Sequence, residues 1–155
     1  MIRNDIFVNV TLNATVSHLV KAKSRTHALK TADFQINEET IVMDQIQLIN
    51  EQGAGKSFKV KRIEAVHWEA AEAEEYSNHF KVAGQIRLEL YVPFTMELVE
   101  ENLWEAGYKL PKASFQDITI WVIPTSNGPV FTQVKSQSFE WKVKTRTSNS
   151  FIKAG

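Results

Sequence analysis

The stretch NEQGAGKSFKVKR, residues 50–62, carries the residue types that hold a nucleotide phosphate: small glycines, a lysine and a serine in GAGKS. A phosphate loop of the G-x-x-x-x-G-K-[ST] kind needs a first glycine five residues before the second, and a helix after the serine whose amides face the phosphates. Asn50 stands where that glycine belongs, and Phe58, Val60 and Arg62 alternate with Lys59 and Lys61 as in a strand. GAGKS therefore reads as a hairpin turn, with Gly55 supplying a positive-φ position and Lys56 pointing to solvent.

The other residues able to do chemistry are dispersed. His18, His27, His67 and His79 show no metal-ligand spacing, and the chain has no cysteine, so neither a metal site nor a disulfide is expected. His18 falls on the apolar parity of its segment and reads as a hydrogen-bonded core residue. Glu72, Glu74 and Glu75 lie in EAAEAEEYSN, which reads as a solvated connector. No nucleophile elbow or dinucleotide fingerprint is present. The expectation is a protein that is not an enzyme, with no catalytic residue, no metal and no cofactor.

Two sets of residues suit binding instead. In the helical reading of residues 95–107, Val99, Leu103 and Ala106 share a narrow apolar face, while Trp104 lies opposite among Glu97, Glu100, Glu101 and Glu105. Trp104 alone suits covering a strand edge or the other half of the chain, its indole N–H satisfied locally; with the acidic rim it has the usual make-up of a protein hot spot, so the expected partner is another protein with a basic surface. The alternative is nucleic acid, held by Lys142, Lys144 and Arg146 on one strand parity, by Lys21, Lys23 and Arg25 on another, and by Lys59 and Lys61 on a third.

Composition frames both. The 155 residues are 43% hydrophobic and 23% charged, a globular balance for one ordinary domain or two very small ones. No apolar run reaches the roughly 18 residues of a membrane helix, so a cytoplasmic location in a host cell and no membrane partner are expected. Net charge is zero, yet residues 64–105 carry 2 Lys+Arg against 10 Asp+Glu, while residues 106–155 carry 7 against 2. This segregation is satisfied internally where the segments pack together, the more ordinary outcome, or else presents an acidic surface to a basic partner; a homodimer is also open.

The elements that must position these residues come from periodicity. Even positions from Ile6 to Ala22 and again from Phe80 to Met96 are largely apolar, the period of a strand. Adding 74 places Val8 on Val82, Leu12 on Ile86 and Val16 on Leu90; adding 73 after residue 40 places Trp68 on Trp141 and Gly55 on Gly128. Such self-similarity predicts an internal duplication. Ser24 or Thr26 can cap a helix whose Ala28, Leu29, Ala32 and Ile36 share a face, and Thr95 can cap a second that stops at Gly107. Segments 41–50 with 58–68, and 115–123 with 130–145, predict hairpins. The expected fold class is α+β: two tandem βαββ units, mostly antiparallel sheet with one helix each, packed as one compact body. Their bounds are 1–69 and 80–147, with an acidic connector at 70–79 and a flexible tail at 148–155.

The stretch VNVTLNATVSHLVKAKSRTHALKTA resembles the small DpnD/PcfM-like modules of phages and conjugative elements, over residues 6–36. The likeness is carried by Ala22-Lys23-Ser24 closing an alternating strand and by Ala28-Leu29-Lys30-Thr31-Ala32 in the following helix. The resemblance implies a mobile-element origin and no particular chemistry. With it, the expected function is a protein-binding module, in concrete form a phage or mobile-element inhibitor of a host defence or nucleic-acid-handling complex. A nucleic-acid-binding accessory protein or a virion structural protein is the alternative.

Overall fold

A computed structural model describes residues 4–74, 78–93, 108–112 and 118–147. In chain order the elements are β1 (Asn4–Lys21), α1 (Arg25–Gln35), β2 (Gln45–Ile49), β3 (Gly55–Ala73), β4 (His79–Pro93), β5 (Thr119–Thr125) and β6 (Gly128–Thr147). The strands form one antiparallel sheet in the order β2-β3-β4-β1-β6-β5, curled into a half-barrel. β1, β3 and β6 each exceed 17 residues, so the right-handed twist accumulates along them. Register shifts in β3 at Val60/Arg62, Ile63/Ala65 and Trp68/Ala70 bend the sheet further, because each extra residue locally increases the twist.

The expected pair of tandem βαββ units is corrected by this topology. The chain is mostly antiparallel sheet in a single curled layer, with one helix among the described residues. The opening strand of each half hydrogen-bonds to the other half: β1 lies between β4 and β6, and β4 between β3 and β1. Period-two patterning shows which residues share a face of a strand but is silent on which strand lies beside it. The strand order nevertheless reads the same from either edge when β1 is exchanged with β4, β2 with β5 and β3 with β6. In the central pair Leu12 faces Leu88 and Ala14 faces Ile86, with Asn13 and Arg87 between them. Trp68 sits opposite Gly84, and Trp141 opposite Val10. The second expected helix and the expected tail lie outside the described residues, and residues 70–73 of the expected connector belong to β3.

The even positions of β1 and β4 form the core: Val10, Leu12, Ala14, Val16, Val82, Ile86, Leu88 and Leu90 are all buried. α1 covers part of this inner face. Ser24 is its N-cap, accepting from the His27 amide at 3.1 Å, which satisfies one of the orphan amides of the first turn. Ala28, Ala32 and Ile36 are fully buried against the sheet, and alanine at two successive turns lets the helix axis approach closely. At its end Asn37 accepts from the amides of Glu39 and Thr40 and turns the chain away. Trp68 of β3 donates from Nε1 to the Ile36 carbonyl at 2.9 Å, tying sheet to helix terminus. Trp68→Phe removes one of the two fused rings from a buried site and strands that carbonyl, so it is expected to cost about 2–3 kcal/mol in chemical denaturation, without a change in the denaturant slope.

Both sheet edges are partly covered. Thr40–Val42 runs along the end of β5, with Val42 donating to the Pro124 carbonyl and Ser126 to that of Thr40. Lys109 exchanges two backbone hydrogen bonds with Ile49 at the edge of β2. Covered edges are protected from pairing with other chains. Among the described residues no helix is long and apolar enough to cross a membrane.

Candidate nucleic-acid interface

The face of the sheet away from α1 is polar, because the odd positions of β1 and β4 are Thr11, Asn13, Thr15, Gln85, Arg87, Glu89 and Tyr91. The register aligns these positions in rows across four strands. One row reads Lys59 on β3, Tyr91 on β4, Asn9 on β1 and Lys142 on β6. The next reads Arg62, Glu89, Thr11 and Glu140, and the one below it Ala65, Arg87, Asn13 and Ser138. At about 4.8 Å per strand, the lysines that end the first row are about 14 Å apart, with an aromatic position between them.

Below that row the charges neutralise one another. The extra residue at the Val60/Arg62 shift brings Lys61 and Arg62 to the same carboxylate: Lys61 Nζ lies 3.4 Å and Arg62 Nη2 3.6 Å from the Glu89 oxygens. Glu89 is 7% exposed, so a single walled-in carboxylate holds two cations flat on the sheet. Arg87 spans its neighbours in the same way, 3.7 Å from Glu64 and 3.4 Å from Glu140. Arg87 Nε and Asn13 Oδ1, on directly opposed residues, have no hydrogen-bond partner among the described residues. Lys59 is exposed and has no ion pair among the described residues.

The basic sets expected at the two ends of β1 are not one surface. Lys142, Lys144 and Arg146 pair with Asn9, Phe7 and Asp5 at the start of β1, while Lys21 pairs with His79 at its end. Twelve residues of β1 separate Asn9 from Lys21, on the order of 40 Å at about 3.3 Å per residue. Lys21 and Lys23 instead line an open cleft of about 520 Å³ with His27, Asn78 and Phe80. Trp104, Glu97, Glu100, Glu101 and Glu105 lie outside the described residues. Lys59, expected on a separate basic face, shares a row with Lys142 instead, and Tyr91, which the sequence did not mark, stands between them. Their alignment comes from pairing between strands far apart in sequence, and no local pattern carries it.

His18 is a structural residue: 8% exposed, its ring nitrogens are held by the Phe131 carbonyl at 3.2 Å and the Gln35 side-chain amide at 2.7 Å. GAGKS joins β2 to β3, but the positive-φ residue is Gly53, at +85°, not Gly55, which already begins β3. Asn50 organises the turn by accepting from the amides of Gln52 and Ala54. Lys56 and Ser57 follow in exposed strand, where no helix amides converge. Replacing both with alanine is expected to shift the melting temperature by less than about 2 °C, and millimolar ATP or GTP to shift neither protein, since a specific ligand stabilises the state that binds it. No protein-family model, curated protein or solved structure matches the chain.

Proposed function

We propose that the chain is a binding module that takes single-stranded nucleic acid on its outer sheet face, in the cytoplasm of a host cell. The observation that supports this reading is the row Lys59–Tyr91–Asn9–Lys142, aligned across four adjacent strands. Sheets that bind single strands stack bases on central aromatic side chains and meet the backbone with flanking cations. Tyr91 is half-buried in the second of the four strands, and the lysine positions flank it. Glu89, Glu64 and Glu140 draw Lys61, Arg62 and Arg87 into ion pairs, which leaves binding to the end of the face that carries Lys59 and the row of position 142.

The reading makes affinity modest and salt-sensitive, because few phosphates are contacted. Fluorescence anisotropy with labelled 16-nucleotide single-stranded DNA and RNA, at 20 to 200 mM salt, tests it. Saturable binding at low salt that weakens linearly in log–log coordinates is the expected result. No binding at 20 mM salt with protein at 100 μM sinks the proposal.

A further inference from the structure

The cleft where β1 passes into α1 joins two kinds of surface. Ala22, 7% exposed, and half-buried Phe80 form its apolar part, while Lys21, Lys23 and His27 stand exposed along it. Hydrogen bonds fix this lining. The Ala22 amide donates to the Asn78 carbonyl at 3.1 Å, holding the end of β1 beside the start of β4. The Lys23 amide donates to His27 Nδ1 at 3.1 Å, and the His27 amide to Ser24 Oγ at 3.1 Å. A neutral imidazole that accepts at Nδ1 carries its proton on Nε2, so His27 offers one further donor.

We propose that this cleft binds a small amphiphilic carboxylate, with an apolar ring against Phe80 and its charge at Lys21 and Lys23. Charge selects an anion. Among the described residues no acidic side chain lines the cleft and neither lysine has an ion pair, whereas Lys61, Arg62 and Arg87 on the sheet face are all paired. Of the carboxylates next to Ala73 in the chain, Glu72 is placed opposite Lys81, and Glu74 does not line the cleft.

The lining also narrows the anion. Arg25 donates from Nε to the Ala71 carbonyl at 3.1 Å and does not line the cleft, so the cations there are point charges rather than the planar fork that grips a phosphate bidentately. A phosphate, hydrated on every side, would leave the Phe80 ring bare, and an uncharged ring would leave two ammonium groups without a counter-charge. A carboxylate on an aromatic body meets both, stacking or edge-on against Phe80 and accepting from the lysines and His27 Nε2. The volume, about 520 Å³, falls within the roughly 300–1,000 Å³ of small-ligand sites. The cleft lies twelve residues of β1 away from Asn9, on the order of 40 Å, so the proposal is independent of what the Lys59–Lys142 row binds.

Titrating nitrogen-15-labelled protein with 2-naphthoate to 5 mM, followed by amide chemical shifts, tests it. The expected result is saturable shifts centred on Ala22, Lys23, His27 and Phe80, with a Kd of about 1 mM, ordinary for a probe of this size. Lys21→Gln with Lys23→Gln should weaken binding about fivefold or more, as the loss of two solvent-screened charge contacts does, and so should uncharged 2-naphthamide in place of the acid. Inorganic phosphate at 5 mM should give no saturable shift. Both lysines are exposed, so the variant keeps its fold, which circular dichroism checks. Absence of saturable shifts at those four residues overturns the proposal. So does naphthamide that binds as tightly as naphthoate, a double variant that binds as well as the wild type, or phosphate that saturates the same amides and marks a plain ion site.

Discussion

Replacing Gly84 with alanine is expected to destabilise the protein by about 2–3 kcal/mol, the upper range for forcing one carbon into a packed core. For a chain of this size the melting temperature then falls by roughly 5–10 °C. A β-carbon built there lies 2.5 Å from the His67 carbonyl oxygen and 2.5 Å from Trp68 Cε3. Neither neighbour yields cheaply. The His67 carbonyl belongs to the β3–β4 ladder, where His67 faces Gln85, and the Trp68 ring is fixed by its bond to the Ile36 carbonyl. Displacing the indole disturbs the end of α1 as well as the sheet. Gly84→Val should be worse than alanine, and Trp68→Leu should recover part of the loss in the Gly84→Ala background by opening space. Full additivity of the two changes in thermal and urea unfolding would show that the residues do not share this clash.

The second large effect concerns the basic row. Reversing Lys59 and Lys142 together to glutamate is expected to weaken single-strand binding ten- to a hundredfold at about 50 mM salt, and to lower the log–log salt slope by about 1.4 for two lost phosphate contacts. Tyr91→Ala should cost about 1–3 kcal/mol in binding with the slope unchanged, because stacking releases no counter-ions. The comparison that matters is Lys21→Glu with Lys23→Glu, an identical charge change at the far end of β1. If that pair is as damaging as the first, binding follows net charge and the row has no special part in it. Glu89→Gln moves in the opposite direction: releasing Lys61 and Arg62, 45% and 63% exposed, should raise affinity and steepen the slope.

Much of this architecture was legible strand by strand. Alternation marked β1 and β4, Ser24 and the alanine spacing marked α1, and the apolar parity of His18 marked a core histidine. The rest depended on distance along the chain. Lys59 and Lys142 are 83 positions apart, and their common row exists through two intervening strands that no local pattern could order. The shift after Val60 brings Lys61 and Arg62 onto one carboxylate, where strict alternation would send them to opposite faces. Gly53 and Gly55 are two residues apart in one turn, and Asn50, read as the defect in a phosphate loop, decides between them by accepting two amides. The candidate protein-docking set around Trp104 depended on a segment outside the described residues.

The pairing of β1 with β6 has a consequence for synthesis. Asn4 is opposite Thr147, so one flank of the central strand stays bare while more than a hundred further residues are made. A nascent chain with β1 to β4 outside the ribosome can zip β3 onto β4 and β4 onto β1, but the edge awaiting β6 remains a template for any passing strand. Domains completed by such distant contacts fold slowly. Ribosomes that stall before Gly128 should therefore release a chain that holdase chaperones retain, and pulse-labelled cells should show protease resistance appearing only after β6 has cleared the exit tunnel.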